Sequence, residues 1–168
     1  NPIKTFKEHS QSFDIVDVGA ESTAPFNGPI GPGEELTRLV GFFSEVLGEK
    51  DPETTISIDS YRPEVFYEVA LEVKKAWPKS DLIFNDVSGK VDPDLMELMK
   101  TELPFSYVFS HNLCPSRDMA SYHMDYLYEG NLLGFMNEVA RHFQRGLGKL
   151  RGLNNKIILF LLSIIQFK

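Results

Sequence analysis

The chain has 168 residues with 42% hydrophobic and 24% charged positions, a composition that can bury a core and excludes global disorder. Twenty-four acidic against 17 basic residues leave a formal net charge of -7, which disfavours a nucleic-acid partner because phosphate binding needs clustered Lys and Arg. One cysteine, Cys114, excludes an internal disulfide framework and points to a reducing, cytoplasmic setting. The longest apolar run, Ile157 to Ile165, falls far short of the roughly 20 residues of a membrane helix, so no membrane partner is expected.

Short apolar runs alternate with stretches of helical period. Ile3 to Ser12 reads as a short helix. The first strand is Phe13–Val18, followed by a Gly/Pro-rich loop to Gly33. Glu34 and Glu35 open a helix whose Leu36, Leu39, Val40, Phe43 and Leu47 form one face, with acidic residues suited to its N-terminal dipole. The second strand is Thr54–Asp59, and Pro63 opens a helix ending near Trp77. The third strand is Asp81–Ser88, followed by a helix from Pro93. The fourth is Phe105–Ser110, then a long connection and a helix from about Asn131 to Phe143. A fifth run is Lys156–Leu159. Such alternation predicts a parallel sheet covered by helices, closed as an open doubly wound sheet or as a barrel. In both, reacting groups sit at the carboxyl ends of strands.

Those ends carry Glu21–Pro25, Asp59–Arg62, Asn85–Ser88 and Ser110–Asn112. Asp59 either caps the following helix or accepts hydrogen bonds from a ligand N–H. Asn85 and Asp86 point to opposite faces, and an amide beside a carboxylate on neighbouring strands can read a flat heterocycle that mixes donors and acceptors. Glu21 reads as a partner for nearby backbone N–H groups. No CxxC or HxxxH occurs, so no metal-ligand set is expected. His111 is read as structural and Cys114 as an ordinary thiol. His9, His123 and His142 are expected at the surface. The basic residues Arg141, Arg145, Lys149 and Arg151 read as a solvated face. Tyr122, Tyr126 and Tyr128 read as packing or interface residues. No phosphate loop or dinucleotide-binding glycine motif is present.

Four blocks at these strand ends carry a resemblance. Asp14-Ile-Val-Asp-Val-Gly-Ala-Glu-Ser-Thr-Ala-Pro25, Ile56-Ser-Ile-Asp-Ser-Tyr-Arg62, Asn85-Asp-Val-Ser-Gly89 and Tyr107-Val-Phe-Ser-His111 are similar, in order and spacing, to the motifs of the dihydropteroate synthases. These are pterin-binding enzymes with a (β/α)8 TIM barrel. The resemblance implies a transferase of folate biosynthesis that joins a dihydropterin pyrophosphate to p-aminobenzoate with Mg2+ assistance, and a sulfonamide target. It implies that Asp59 and Asn85 bind the pterin ring, that Val87 and Ser110 line its pocket, and that Thr23 and Pro25 shape the p-aminobenzoate pocket. It implies a homodimer or a fusion with another folate-pathway domain.

The chain departs from the family at Ala24, where the family has Arg, at Ser110, where it has Met, and after Leu159, where an Asp-Pro-Gly turn is absent. Phe160 to Lys168 instead resembles the family's next helix. Five or six βα units in 168 residues fall short of a closed barrel of about 250 residues. The expectation is one barrel domain over residues 1–168, incomplete, with further segments before Pro2, at Leu159/Phe160 and after Lys168. Two other readings stand beside this one. They are a corrinoid-dependent methyltetrahydrofolate methyltransferase on the same barrel and a degenerate, non-catalytic pterin-binding partner domain.

Overall fold

The computed structural model describes residues 1–21, 28–48, 52–153, 155–161 and 165–166, with the side chains of 123, 124, 160, 161, 165 and 166 left aside. The elements run α1 (Pro2–Ser10), β1 (Ile15–Gly19), α2 (Pro32–Val46), β2 (Thr55–Asp59), α3 (Pro63–Ala76), β3 (Leu82–Asp86), α4 (Pro93–Met99) and β4 (Ser106–His111). They continue through a 3-10 segment (Arg117–Asp125), β5 (Tyr128–Glu129), α5 (Leu132–Leu150), β6 (Lys156–Leu161) and β7 (Ile165–Gln166). Helices α1 to α4 each begin at a proline. There the fixed φ suits the first turn and the missing N–H costs no hydrogen bond. Asn1, Asp92 and Asn131 cap α1, α4 and α5 through their side chains, as short polar residues do.

Five strands form one parallel sheet in the order β1-β2-β3-β4-β6, and β5 pairs with β7 apart from it. The order follows the chain and never reverses. A doubly wound sheet has a reversal point; a singly wound one lays its crossover helices on one face, as a barrel does. Of the two closures open to the sequence, the structure therefore takes the (β/α)8 barrel type, with five of its strands among the described residues. The alternation of each strand sends Val16, Ile56, Ile58, Leu82, Phe84, Tyr107 and Phe109 into the helix layer, where all are buried. They meet Leu39 and Phe43 of α2, Phe66, Val69 and Val73 of α3, and Leu95 of α4 in one continuous core. Phe66 stacks on Phe84 with ring centroids 4.5 Å apart. Trp77 closes the core under α1, stacked on Phe6 at 6.2 Å. No helix among the described residues is long and apolar enough to cross a membrane.

Two expectations are corrected. Helix α5 continues seven residues past Phe143, through Gly146 and Gly148. Gly146 serves contact rather than termination: a Cβ there would stand 2.1 Å from the Phe109 ring. The segment after Leu159 does not start a helix. Phe160 and Leu161 prolong β6 by pairing with Ser110 and His111, because β4 runs on to His111 and offers backbone groups that need partners.

Candidate functional site

Parallel register brings Gly19, Asp59, Asn85 and Val108 into one row across β1 to β4. Two residues earlier lies a second row, Asp17, Ser57, Ile83 and Ser106, on the same face. This face is turned away from the helices, and its upper end carries three polar side chains from three successive strands. The Asn85 amide Nδ2 donates to Asp17 at 3.3 and 3.4 Å to the two carboxylate oxygens, reaching across β2. Asp59 sits on the strand between them. Burial pushes its carboxyl up from 3.8 to about 7, and the neighbouring charges of Asp17, Glu35, Asp86 and Glu21 push the same way. Near neutrality Asp59 thus exchanges its proton readily, accepting two hydrogen bonds when ionised and donating one when protonated.

Helix α3 is preceded by Arg62, with no side-chain cap, so the capping role for Asp59 is excluded. Asp86 faces the other way, as alternation requires. It is fully buried. It accepts from the Ser88 backbone N–H at 2.8 Å, the Tyr107 hydroxyl at 2.9 Å and Arg117 Nη1 at 2.9 Å.

Arg117 spends its guanidinium on five acceptors. Besides Asp86, Nη1 donates to the Tyr61 carbonyl at 2.8 Å, Nη2 to the Lys90 carbonyl at 2.5 Å and to Asp92 at 3.1 Å, and Nε to Asp92 at 2.7 Å. Burial alone would lower its pKa, but the Asp86 and Asp92 carboxylates raise it above the ordinary value. The same bonds hold Asp92 below the usual carboxylate range against the upward push of burial. Arg117 therefore ties the ends of β2 and β3 to the start of α4.

A second clamp surrounds Arg62. It pairs with Glu21 at 3.0 Å and with Glu35, and donates to the Ile30 carbonyl at 2.7 Å. The Tyr61 hydroxyl reaches Glu21 at 3.2 Å, and the Ser121 hydroxyl bonds the same carboxylate. Glu21 thus does more than meet nearby backbone. It joins the end of β1 to the 3-10 segment a hundred residues later.

Asp59 and Asn85 therefore meet as expected. Val87 follows β3, half-buried against Tyr61, Cys114 and Ala120. Ser110 is buried, and its hydroxyl is the one buried side-chain polar atom among the described residues without a hydrogen-bond partner. By strand parity it lies on the face of Asn85 and Val108. Thr23 and Pro25, with Ala24, lie outside the described residues.

His111 is buried, edge-on to Phe135 at 5.9 Å, and burial with the nearby His142 pushes it down to about 4. It is neutral and structural. Burial raises the Cys114 thiol, so it is unreactive at neutral pH. His142 is not a surface residue. Its Nε2 donates to the Ser110 carbonyl at 2.9 Å and its ring packs on Phe109 at 4.9 Å, because α5 is anchored over the end of β4. His9 is exposed, whereas the side chain of His123 lies outside the described ones. Tyr126 and Tyr128 serve packing, the latter against Phe135 at 5.5 Å.

Sequence reasoning missed Asp17, Glu35 and Arg117. Glu35 had a signal: it lies four residues before Leu39 and eight before Phe43, on the buried stripe of α2. Arg117 had none, since its partners lie 25 to 56 residues away. Among the described residues no group of three or more His, Cys, Asp or Glu could hold a metal ion.

A model of the pterin binding enzymes matches residues 9–159. The folate synthesis bifunctional protein of Pisum sativum mitochondria is 38% identical over 104 residues, covering 61% of this chain and 19% of that protein. Dihydropteroate synthase of Escherichia coli is 29% identical over 136 residues, covering 80% of this chain and 45% of that enzyme. The chain thus spans less than half the length of either relative. Among solved structures, the dihydropteroate synthase of Clostridium difficile, crystallised in the presence of pteroic acid, superposes with a TM-score of 0.66 at 23% identity. The match covers 95% of this chain and 55% of that one. A Plasmodium falciparum HPPK-DHPS with pteroate gives 0.65 at 23% identity, over 94% of this chain and 29% of that one. With the family matched over nearly the whole sequence and the barrel-type strand order in place, the chain belongs to the pterin binding enzyme family.

Proposed function

We propose that the chain forms the pterin-recognising half of a dihydropteroate synthase, which condenses 6-hydroxymethyl-7,8-dihydropterin pyrophosphate with p-aminobenzoate and releases pyrophosphate. The observation that carries this reading is the side-by-side placement of Asp59 and Asn85 in strand register. A pterin presents neighbouring N–H donors at its amino-pyrimidine edge with ring acceptors beside them. An ionised Asp59 accepts the paired donors, and the Asn85 amide supplies a donor and an acceptor. Val87 and Ser110 flank that position; Thr23 and Pro25 would belong to the p-aminobenzoate side.

Departure of pyrophosphate leaves positive charge on the pterin methylene. The carboxylates of Asp17 and Asp59 supply a fixed negative field for it at the strand mouth. The described residues do not form a Mg2+ cage. The ion would arrive on the substrate diphosphate, as Mg2+ does when it keeps several waters and phosphate oxygens. The bifunctional relatives support a fusion with another folate-pathway domain, and the single buried thiol supports a reducing compartment such as the cytoplasm.

The test is titration of the protein with 6-hydroxymethyl-dihydropterin by calorimetry, together with pyrophosphate release from 6-hydroxymethyl-7,8-dihydropterin pyrophosphate in the presence of p-aminobenzoate. Asp59→Asn and Asn85→Ala should each weaken pterin binding at least tenfold, the scale of one lost charge-assisted contact, and a sulfonamide should compete with p-aminobenzoate. Pterin binding without p-aminobenzoate-dependent turnover would favour the non-catalytic reading. Absence of pterin binding would refute the assignment.

A further inference from the structure

The basic residues that read as a solvated face in the sequence are brought together with others by the fold. Between α5, the β3–α4 turn and the start of the 3-10 segment lies a cavity of about 400 Å³. Phe109, His142 and Gly146 form its apolar side, and Lys90, Arg145 and Lys149 bring their charges to it. On α5, His142, Arg145 and Lys149 follow one another at spacings of three and four, on a single face.

The cavity also contains Arg117, Asp92 and Glu138, and these are satisfied. Arg117 and Asp92 pair with each other, and Glu138 pairs with Arg141 at 3.3 Å. What remains is three cations without a carboxylate partner among the described residues. Lys90 Nζ reaches only the Asn112 carbonyl at 3.3 Å, Lys149 Nζ only the Val91 carbonyl at 2.9 Å, and Arg145 has neither a hydrogen bond nor an ion pair there. Neutral carbonyls orient an ammonium group without cancelling its charge. Burial lowers the pKa of His142, Lys90 and Arg145 push the same way, and the Ser110 carbonyl and Glu138 oppose them. The lining sets four basic side chains, Lys90, Arg117, Arg145 and Lys149, against two acidic ones, Asp92 and Glu138, a local positive excess in a chain of net charge -7.

We infer that this cavity is a binding site for a small organic phosphate, separate from the strand-end site, with Lys90, Arg145 and Lys149 holding the phosphate and Phe109 and His142 packing on its apolar group. Arg145 supplies the planar fork that matches phosphate oxygens, and the two lysines add point charges. The apolar side distinguishes the ligand from bare phosphate. The cavity lies on the helix side of β4, whereas Asp59 and Asn85 face the other side of the sheet. The inference does not depend on the pterin reading.

The test is calorimetric titration of the protein with phenyl phosphate, inorganic phosphate and benzoate at constant ionic strength. Phenyl phosphate should bind saturably and more tightly than either of the others. The double variant Arg145→Ala/Lys149→Ala, whose side chains are exposed, should weaken it at least tenfold while leaving pterin binding and the unfolding temperature unchanged. Asp59→Asn should leave phenyl phosphate binding intact. Failure to saturate by about 10 mM, a binding free energy weaker than roughly 3 kcal/mol, would overturn the inference. Loss of binding in Asp59→Asn with retention in the double variant would also overturn it, by moving the phosphate to the strand-end site. Equal affinities for phenyl phosphate and inorganic phosphate would remove the apolar half of the assignment.

Discussion

Asp59→Asn should make the protein more stable while removing its ligand affinity, and the gain should grow with pH. Folding moves the Asp59 carboxyl from 3.8 to about 7. The native state therefore keeps a proton that the unfolded chain has already released. Its stabilising share is complete below pH 3.8, declines as pH rises, and is gone above about 7, where the folded protein must hold a carboxylate among other carboxylates. At about 1.36 kcal/mol per tenfold change in the proton equilibrium, the interval gives a ceiling near 4 kcal/mol. Asp59 keeps part of its surface at the open strand mouth, so water and side-chain relaxation should bring the measured figure to about 2 kcal/mol. Urea unfolding of both proteins at pH 5 and pH 8 measures it. The stability difference in favour of the variant should widen by about 1–2 kcal/mol between the two, with unchanged m-values. A difference independent of pH, or a variant less stable at pH 8, would refute the account of a carboxylate held against its solvation.

Two further substitutions probe the neighbouring groups. Arg117→Met leaves Asp86 fully buried without its cation, and unfolding stability at neutral pH should fall by about 3–5 kcal/mol; a loss under 1 kcal/mol would mean that Tyr107 and the Ser88 N–H suffice. Ser110→Ala removes a buried hydroxyl with no partner. It should raise the stability of the unliganded protein by about 1 kcal/mol while reducing the stabilisation added by a pterin, which thermal unfolding with and without ligand would show.

The parts of this structure that were legible in the sequence are those governed by neighbours in the chain. Pro63 and Pro93 open helices where fixed φ requires it, and strand parity alone separated Asn85 from Asp86. The misreadings arose where a distant partner decides. The helix expected to end near Phe143 runs on to Leu150, with Gly146 lying directly over the Phe109 ring. Leu159 to Leu161 stays extended because β4 presents a free edge up to His111. His142 carries no local mark of burial, yet the Ser110 carbonyl, 32 residues earlier, takes its hydrogen. The candidate site divides in the same way. Asp59 and Asn85 are visible at the ends of apolar runs. The arginines that hold those ends in place act across long stretches of chain, which no window of periodicity spans.

The chain-following strand order has a consequence for biosynthesis. In the five-stranded sheet each strand from β2 onward finds its pairing edge already made by a strand that left the ribosome before it, and none waits for a later one to be inserted beside it. The closures involved are short for a parallel sheet, so the ordering entropy is met in small instalments. Synthesis at about 5–20 residues per second gives each βα unit one or more seconds to dock before the next emerges. The growing edge at any moment is the one that the next unit covers, which limits the time that edge is available for pairing with another molecule.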